Sequence, residues 1–138
     1  MCGILGIYQI NNKPISKDLF LDSLEYLSNR GPDETGYQEF NINGCNLKFG
    51  HKRLSILDLS KNGNQPMSSS NYKYSIVFNG EIYNHLNLRK NIENIENISW
   101  KSNSDTETLI EYISVFGLDK TLNDIRGMFA FCLFDIHK

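Results

Sequence analysis

Apolar positions along the 138-residue chain switch between two spacings, and the switches divide it into elements. Gly3 to Gln9 is a short apolar run and reads as a strand. Ser16 can cap a helix in which Phe20, Leu24 and Leu27 fall at i, i+4 and i+7, with Gly31-Pro32 to stop it. Gly36 to Ile42 and Cys45 to His51 read as two strands joined through Asn43-Gly44, a strong hairpin signal. Tyr74 to Phe78 is a further strand. Ser104 and Glu107 have capping-box spacing ahead of Leu109, Ile113 and Phe116, again at i, i+4 and i+7, which predicts a second amphipathic helix with Asp105 in its first turn. Leu118 to Ile125 is expected as a short helix, and Met128 to Phe134 is almost unbroken in apolar residues, which suits a strand buried on both faces. Asn91 to Ile98 repeats every three residues, fits neither period and reads as an irregular surface stretch. The result is a mixture of α and β with several adjacent strands and no linker that would divide it.

Composition narrows the class. A chain with 40% hydrophobic and 12% aromatic residues can bury a real core. A net charge of -2 without a basic stripe gives no electrostatic footprint for nucleic acid or an anionic membrane, so neither partner is expected. No apolar run approaches the roughly 20 residues of a membrane span, and the first residues lack a basic signal-peptide region, which places the chain in the cytoplasm as an expectation. Cys2, Cys45 and Cys132 are odd in number and irregularly spaced, so a disulfide framework is not expected, and Cys45 and Cys132 read as small core residues. His51, His85 and His137 lack metal-type spacing, so no metal is expected.

The remaining chemistry starts at Cys2. Removal of Met1 would leave a thiol and an α-amine on one residue, and an amine titrating at about 7.7–8.0 is suited to take the proton of a thiol whose ordinary pKa is about 8.5. An amide is a poor electrophile, so a thiol attacking one needs donors where the carbonyl oxygen becomes an anion. Asn79 offers side-chain N–H groups and Gly80 lets the backbone approach closely, although Asn-Gly is also a common turn dipeptide that could simply end the Tyr74 to Phe78 strand.

Taken together and in order, Cys2, Arg30-Gly31-Pro32-Asp33, Arg53-Leu54-Ser55-Ile56, Asn79-Gly80-Glu81-Ile82-Tyr83-Asn84, Ser104-Asp105-Thr106-Glu107 and Arg126-Gly127-Met128-Phe129-Ala130-Phe131 resemble the glutaminase domain of glutamine-hydrolysing asparagine synthetases, which are N-terminal-nucleophile glutamine amidotransferases. The resemblance runs from Met1 to Lys138. It implies an α+β fold, an αββα sandwich of antiparallel sheets. It also implies Cys2 as nucleophile, Asn79 and Gly80 as the oxyanion hole, Arg53 on the α-carboxylate of glutamine, and Asp105 with Glu81 on the α-ammonium, helped by the backbone around Leu54 and Ile56. The Ser-Gly-Gly-x-Asp-Ser loop of the family's synthetase domain is not found, so ATP and Mg are expected only with that domain, and the partners expected are glutamine, an ammonia-receiving synthetase domain or chain, and a possible second copy in a homodimer. Leu133 to Lys138 resembles the middle of the family's domain, so the expectation is a partial domain with sheet edges left open. Three alternatives stand beside asparagine synthesis: a relative amidating another acceptor such as a sugar acid; a glutaminase branch as in glucosamine phosphate synthesis, which lacks the Arg-Leu-Ser-Ile and Asn-Gly-Glu-Ile-Tyr-Asn pairing; and a non-catalytic binding module.

Overall fold

The computed structural model describes residues 1–10, 14–42 and 44–137. Its elements follow in chain order: β1 (Gly3–Gln9), α1 (Lys17–Glu25), β2 (Glu34–Ile42), β3 (Cys45–Arg53), β4 (Met67–Ser68), β5 (Tyr74–Ile82), α2 (His85–Glu93), α3 (Asp105–Phe116), α4 (Leu118–Asp124) and β6 (Gly127–Asp135). Among the described residues they form two three-stranded antiparallel sheets, ordered β1-β3-β2 and β4-β5-β6. The two sheets face one another, with α1 outside the first and α3 outside the second. This is the expected α+β sandwich.

Strand alternation explains the layering. On β3, a glycine Cβ at Gly50 would meet Phe20 and Leu24 of α1, so this face takes the helix. Leu47 and Phe49 point the other way and pack with Val77 of β5 between the sheets, joined by Ile4, Phe40 and Phe134. Ile76, Phe78 and Ile82 use the opposite face of β5 and pack with Leu88 and Ile92 of α2 and Leu109, Ile110 and Ile113 of α3.

Several expectations need correction. The strand over Tyr74 to Phe78 does not turn at Asn79-Gly80 but continues to Ile82. The segment from His85 to Glu93, which includes the start of the three-residue repeat, is helical, with Leu88, Arg89 and Ile92 buried. β4 was not expected from the sequence. Met128 to Phe134 forms the strand predicted but lies at a sheet edge, and its side chains are largely exposed, Met128 to 67%. Cys132 is exposed and Cys45 half-buried, so neither is a core residue. β2 and β3 pair as a hairpin as predicted, with Asn43 of the turn signal outside the described residues.

The α1 face of β3 also carries Lys48, which is 1% exposed and donates to Glu39 (2.8 Å). The bonds from Lys48, Tyr37 and Asn46 hold the Glu39 carboxyl down at about 2. A carboxyl lowered on folding stabilises the protein above its unfolded value of about 4.3 and loses that contribution as pH falls through the folded one. Acid titration of the folded chain should therefore show a loss of stability between about pH 4.3 and 2. Lys48→Met should flatten that part of the curve, read as Tm against pH.

Candidate active site

Cys2 sits one residue before β1, whose first residue Gly3 pairs with Lys52 at the end of β3. A Cβ at Gly3 would lie 2.7 Å from the Leu27 Cβ, so only glycine lets the chain start come down onto this corner. Arg30 fixes the position of Cys2 by donating its Nε–H to the Cys2 carbonyl (3.1 Å). Gly31 lies against the Lys52 carbonyl, where a Cβ would come within 2.2 Å. The Asp33 N–H donates to the Arg53 carbonyl (3.0 Å), and the Asp33 carboxylate accepts the Ser55 N–H (2.7 Å). The Arg30-to-Asp33 motif is thus the clasp between the chain start and the segment after β3. That segment supplies the first partner of the sulfur: the Leu54 N–H points at Cys2 Sγ (3.3 Å), a donor that stabilises negative charge on sulfur.

The second group of donors follows from strand parity. The Tyr83 N–H donates to Arg126 and the Ile136 N–H to Lys73, so the odd-numbered residues of β5 exchange ladder bonds with β6. The N–H groups of Phe78, Gly80 and Ile82 therefore point the other way, off the side where β4 ends. The Phe78 N–H donates to Gln65 Oε1 (2.5 Å), and the Ile82 N–H donates to Asp105 Oδ2 (2.9 Å). Between them the Gly80 N–H has no acceptor among the described residues, and Gly80 lines the cavity described below. Asn79, next to it, is turned toward the first sheet, and its side-chain Oδ1 is buried without a hydrogen-bond partner among the described residues.

The register also shows how the opening arises. Met67 pairs with Ile76. Continued backward, that register sets Gln65 opposite Phe78 and Gly63 opposite Gly80. The chain leaves the sheet instead: the Gln65 side chain takes the rung that a β4 carbonyl would have filled, and Gly63 lies under the Arg53 guanidinium, where a Cβ would sit 2.3 Å from Nη2.

Arg53 is 6% exposed and is wrapped by the loop that follows it. Its Nη1 donates to the Ser60 carbonyl and to Asn64 Oδ1, both at 2.7 Å, and its Nη2 donates to the Asp58 carbonyl. The Asp58 carboxylate is held below the usual range by the Ser60 hydroxyl and by the Ser60 and Asn103 N–H groups, which closes the loop onto the approach to α3. Of the five guanidinium protons, Nε–H and one on Nη2 remain without a protein acceptor among the described residues.

Asp105 opens α3. Ser104 caps the helix by accepting the Glu107 N–H (3.2 Å), as the capping-box spacing predicts. The Glu107 carboxylate, however, reaches past Ser104 to the N–H groups of Lys101 and Ser102. Arg89 supports this entry from behind, donating to Thr108 and to the Ser102 and Ser104 carbonyls while stacking over Trp100. Burial pushes the Asp105 carboxyl up. His51, which holds the Phe78 carbonyl (3.3 Å), is kept neutral by burial, its pKa down at about 4.

Cys2, Arg53, Leu54, Ile56, Asn79, Gly80, Glu81 and Asp105 all line one cavity of about 270 Å³. The eight residues singled out in the sequence are therefore neighbours in space. The lining adds Thr106 and Met128, which fall inside the quoted motifs without a role of their own, and Gln65, which no sequence signal marked. A thiol with a backbone donor lies at one part of this wall, a partly free guanidinium and a buried carboxylate at others. Such a set can hold a zwitterion and attack its uncharged end.

Comparison with known proteins gives a consistent result. The glutamine amidotransferase domain family matches residues 1–138. The chain is 34% identical to asparagine synthetase (glutamine-hydrolyzing) 1 of Bacillus subtilis, over 98% of its own length and 21% of that protein. It is 32% identical to asparagine synthetase B (glutamine-hydrolyzing) of Escherichia coli, over 100% of its length and 24% of that protein. Against asparagine synthetase (glutamine-hydrolyzing) 3 of Arabidopsis thaliana the identity is 32%, over 98% and 22%. The chain thus spans less than a quarter of the length of these three curated relatives.

Proposed function

The chain belongs to the glutamine amidotransferase domain family, and from that premise we propose that its cavity binds glutamine and that Cys2, freed of Met1, hydrolyses the side-chain amide to glutamate and ammonia. The observation that carries this reading is the convergence of Cys2 Sγ, the unpaired Gly80 N–H, Arg53 and Asp105 on one wall. Arg53 takes the α-carboxylate through its two free protons, and Asp105 with Glu81 takes the α-ammonium. The amide then faces sulfur.

The Cys2 amine removes the thiol proton, and sulfur adds to the amide carbon. The oxygen that gains the electron pair is held by the Gly80 N–H and the Asn79 side-chain amide. The amine returns the proton to the departing nitrogen, ammonia leaves, and a thioester remains. Water, deprotonated by the same amine, adds to the thioester carbon, and its collapse releases glutamate and the thiol. Removal of Met1 serves this scheme twice. It creates the amine and takes away a side chain that lines the cavity.

The names of the relatives support asparagine synthesis as the destination of the ammonia, carried out by a segment outside this chain that would bring the ATP and Mg chemistry. A cytoplasmic setting suits such a pathway, and among the described residues no helix is long and apolar enough to cross a membrane.

Labelling tests the assignment. The processed chain should be alkylated at Cys2 by the diazoketone analogue of glutamine, sulfur displacing dinitrogen from the protonated diazo carbon, and excess glutamine should block the reaction. Intact mass and peptide mapping read the outcome. Modification that glutamine does not slow would remove the case for a glutamine site.

Protonation of Asp105 gives a second check. Burial raises its pKa, so the charge that holds the ammonium is lost at a higher pH than for an ordinary carboxylate near about 3.9. KM for glutamine should rise as pH is lowered, before ordinary carboxylates titrate. In Asp105→Asn, KM should be high throughout and lose that dependence.

A further inference from the structure

We propose that Gln65 sets the length of the amino-acid side chain that the cavity accepts, an inference that rests on the glutamine reading above. The two ends of the bound molecule would be held by different elements. The amide end meets Cys2, Asn79 and Gly80, on the first sheet and β5, whereas the ammonium end meets Asp105 on α3. Discrimination by length requires a fixed distance between them.

Among the described residues, two hydrogen-bonded ties join β5 to the start of α3. One is the Ile82 N–H to Asp105 Oδ2, whose acceptor is the carboxylate that must also receive the ammonium. The other is Gln65, which accepts the Phe78 N–H at Oε1 (2.5 Å) and donates from Nε2 to Thr106 Oγ1 (3.2 Å). Its bonds use no atom assigned to the substrate.

Gln65 is also fixed to the first sheet, which carries Cys2 through β1. A Cβ at Gly36 of β2 would come within 1.6 Å of the Gln65 carbonyl oxygen, so the two backbones are in direct contact. One buried residue therefore relates sulfur, oxyanion donors and carboxylate to one another, through its backbone to the first sheet and through its side chain to β5 and α3. Gln65 is 6% exposed, which leaves it little freedom to relax. It acts as a positioning residue.

The test compares two diazoketones, one shaped like glutamine and one a methylene shorter, shaped like asparagine, in their rates of Cys2 alkylation on the full processed chain. Iodoacetamide serves as a control for bare thiol reactivity. The unaltered chain should prefer the longer probe, since one methylene in a fitted pocket is worth about 10–200-fold. Gln65→Met keeps the bulk but removes both bonds, and should cut that preference by at least about tenfold without a matching change toward iodoacetamide. Thr106→Val cuts only the helix tie and should lower the preference in the same direction by less, which preserves the test if Gln65→Met does not fold. A general loosening would slow both probes alike and leave their ratio unmoved. Folded variants that keep the wild-type ratio overturn the inference alone; an unaltered chain with no preference and no protection by glutamine overturns the glutamine reading and this inference with it.

Discussion

Cys2→Ser is expected to abolish glutamine hydrolysis, by roughly 10⁴-fold or more in kcat, because the alkoxide needed from serine is far less available than a thiolate at neutral pH. The structural change is small: one Sγ is replaced by a shorter-bonded oxygen at a half-buried position, and the Leu54 N–H retains an acceptor. Thermal stability should accordingly stay close to that of the parent chain. Glutamine binding should also persist, since Arg53 and Asp105 are untouched. Steady-state release of glutamate, a binding isotherm and a melting curve together separate the two effects. Activity above about one hundredth of the parent would mean that another group attacks the amide.

Gly80→Ala should damage both chemistry and fold. Gly80 has φ at +156°, in a region that disfavours any side chain. A Cβ there would stand 2.2 Å from the Met128 carbonyl oxygen and 2.6 Å from the Phe129 Cα, both backbone atoms of β6. Neither can swing away as a side chain would. Either β6 separates from β5 or the peptide at Gly80 rotates, and each response moves the N–H proposed to hold the oxyanion. Loss of one such donor lowers kcat by about 10²–10³-fold, and the clash adds to that. The variant should also melt at a lower temperature than Cys2→Ser. Asn79→Ala offers the contrast: a comparable fall in kcat, with β6 undisturbed.

What the amino-acid sequence reveals of this fold depends on how local each feature is. The bounds of β1 follow from Gly3 to Gln9, which carries its own signal, and those of α3 from Ser104, Glu107, Leu109 and Ile113, which fall within a few turns. α2 carries no clear signal because its inward face includes Arg89, a charge that breaks the apolar stripe and is satisfied by Ser102, Ser104, Thr108 and the Glu107 carboxylate, all well beyond the helix in sequence. β6 misled for another reason. An apolar run reports what a strand needs to bury, whereas the burial itself depends on which elements lie alongside, and β6 has β5 on one side only. The eight residues of the candidate site were legible because each falls in a short motif whose residues stand together in the sequence. Gln65 was not, because its role depends on the register between β4 and a later strand, which composition and periodicity do not encode.

Surface connections ordinarily absorb added or deleted residues with little effect. The departure of the chain from β5 at Gln65 makes this one an exception. One residue gained between Gln65 and Met67 would move the amide side chain off Phe78 by one position and bring the preceding backbone alongside Gly80, closing the opening proposed to receive the oxyanion. On the proposed mechanism a more regular sheet would then be inactive, so the count of residues in this short connection would matter to the reaction alongside the identity of the nucleophile.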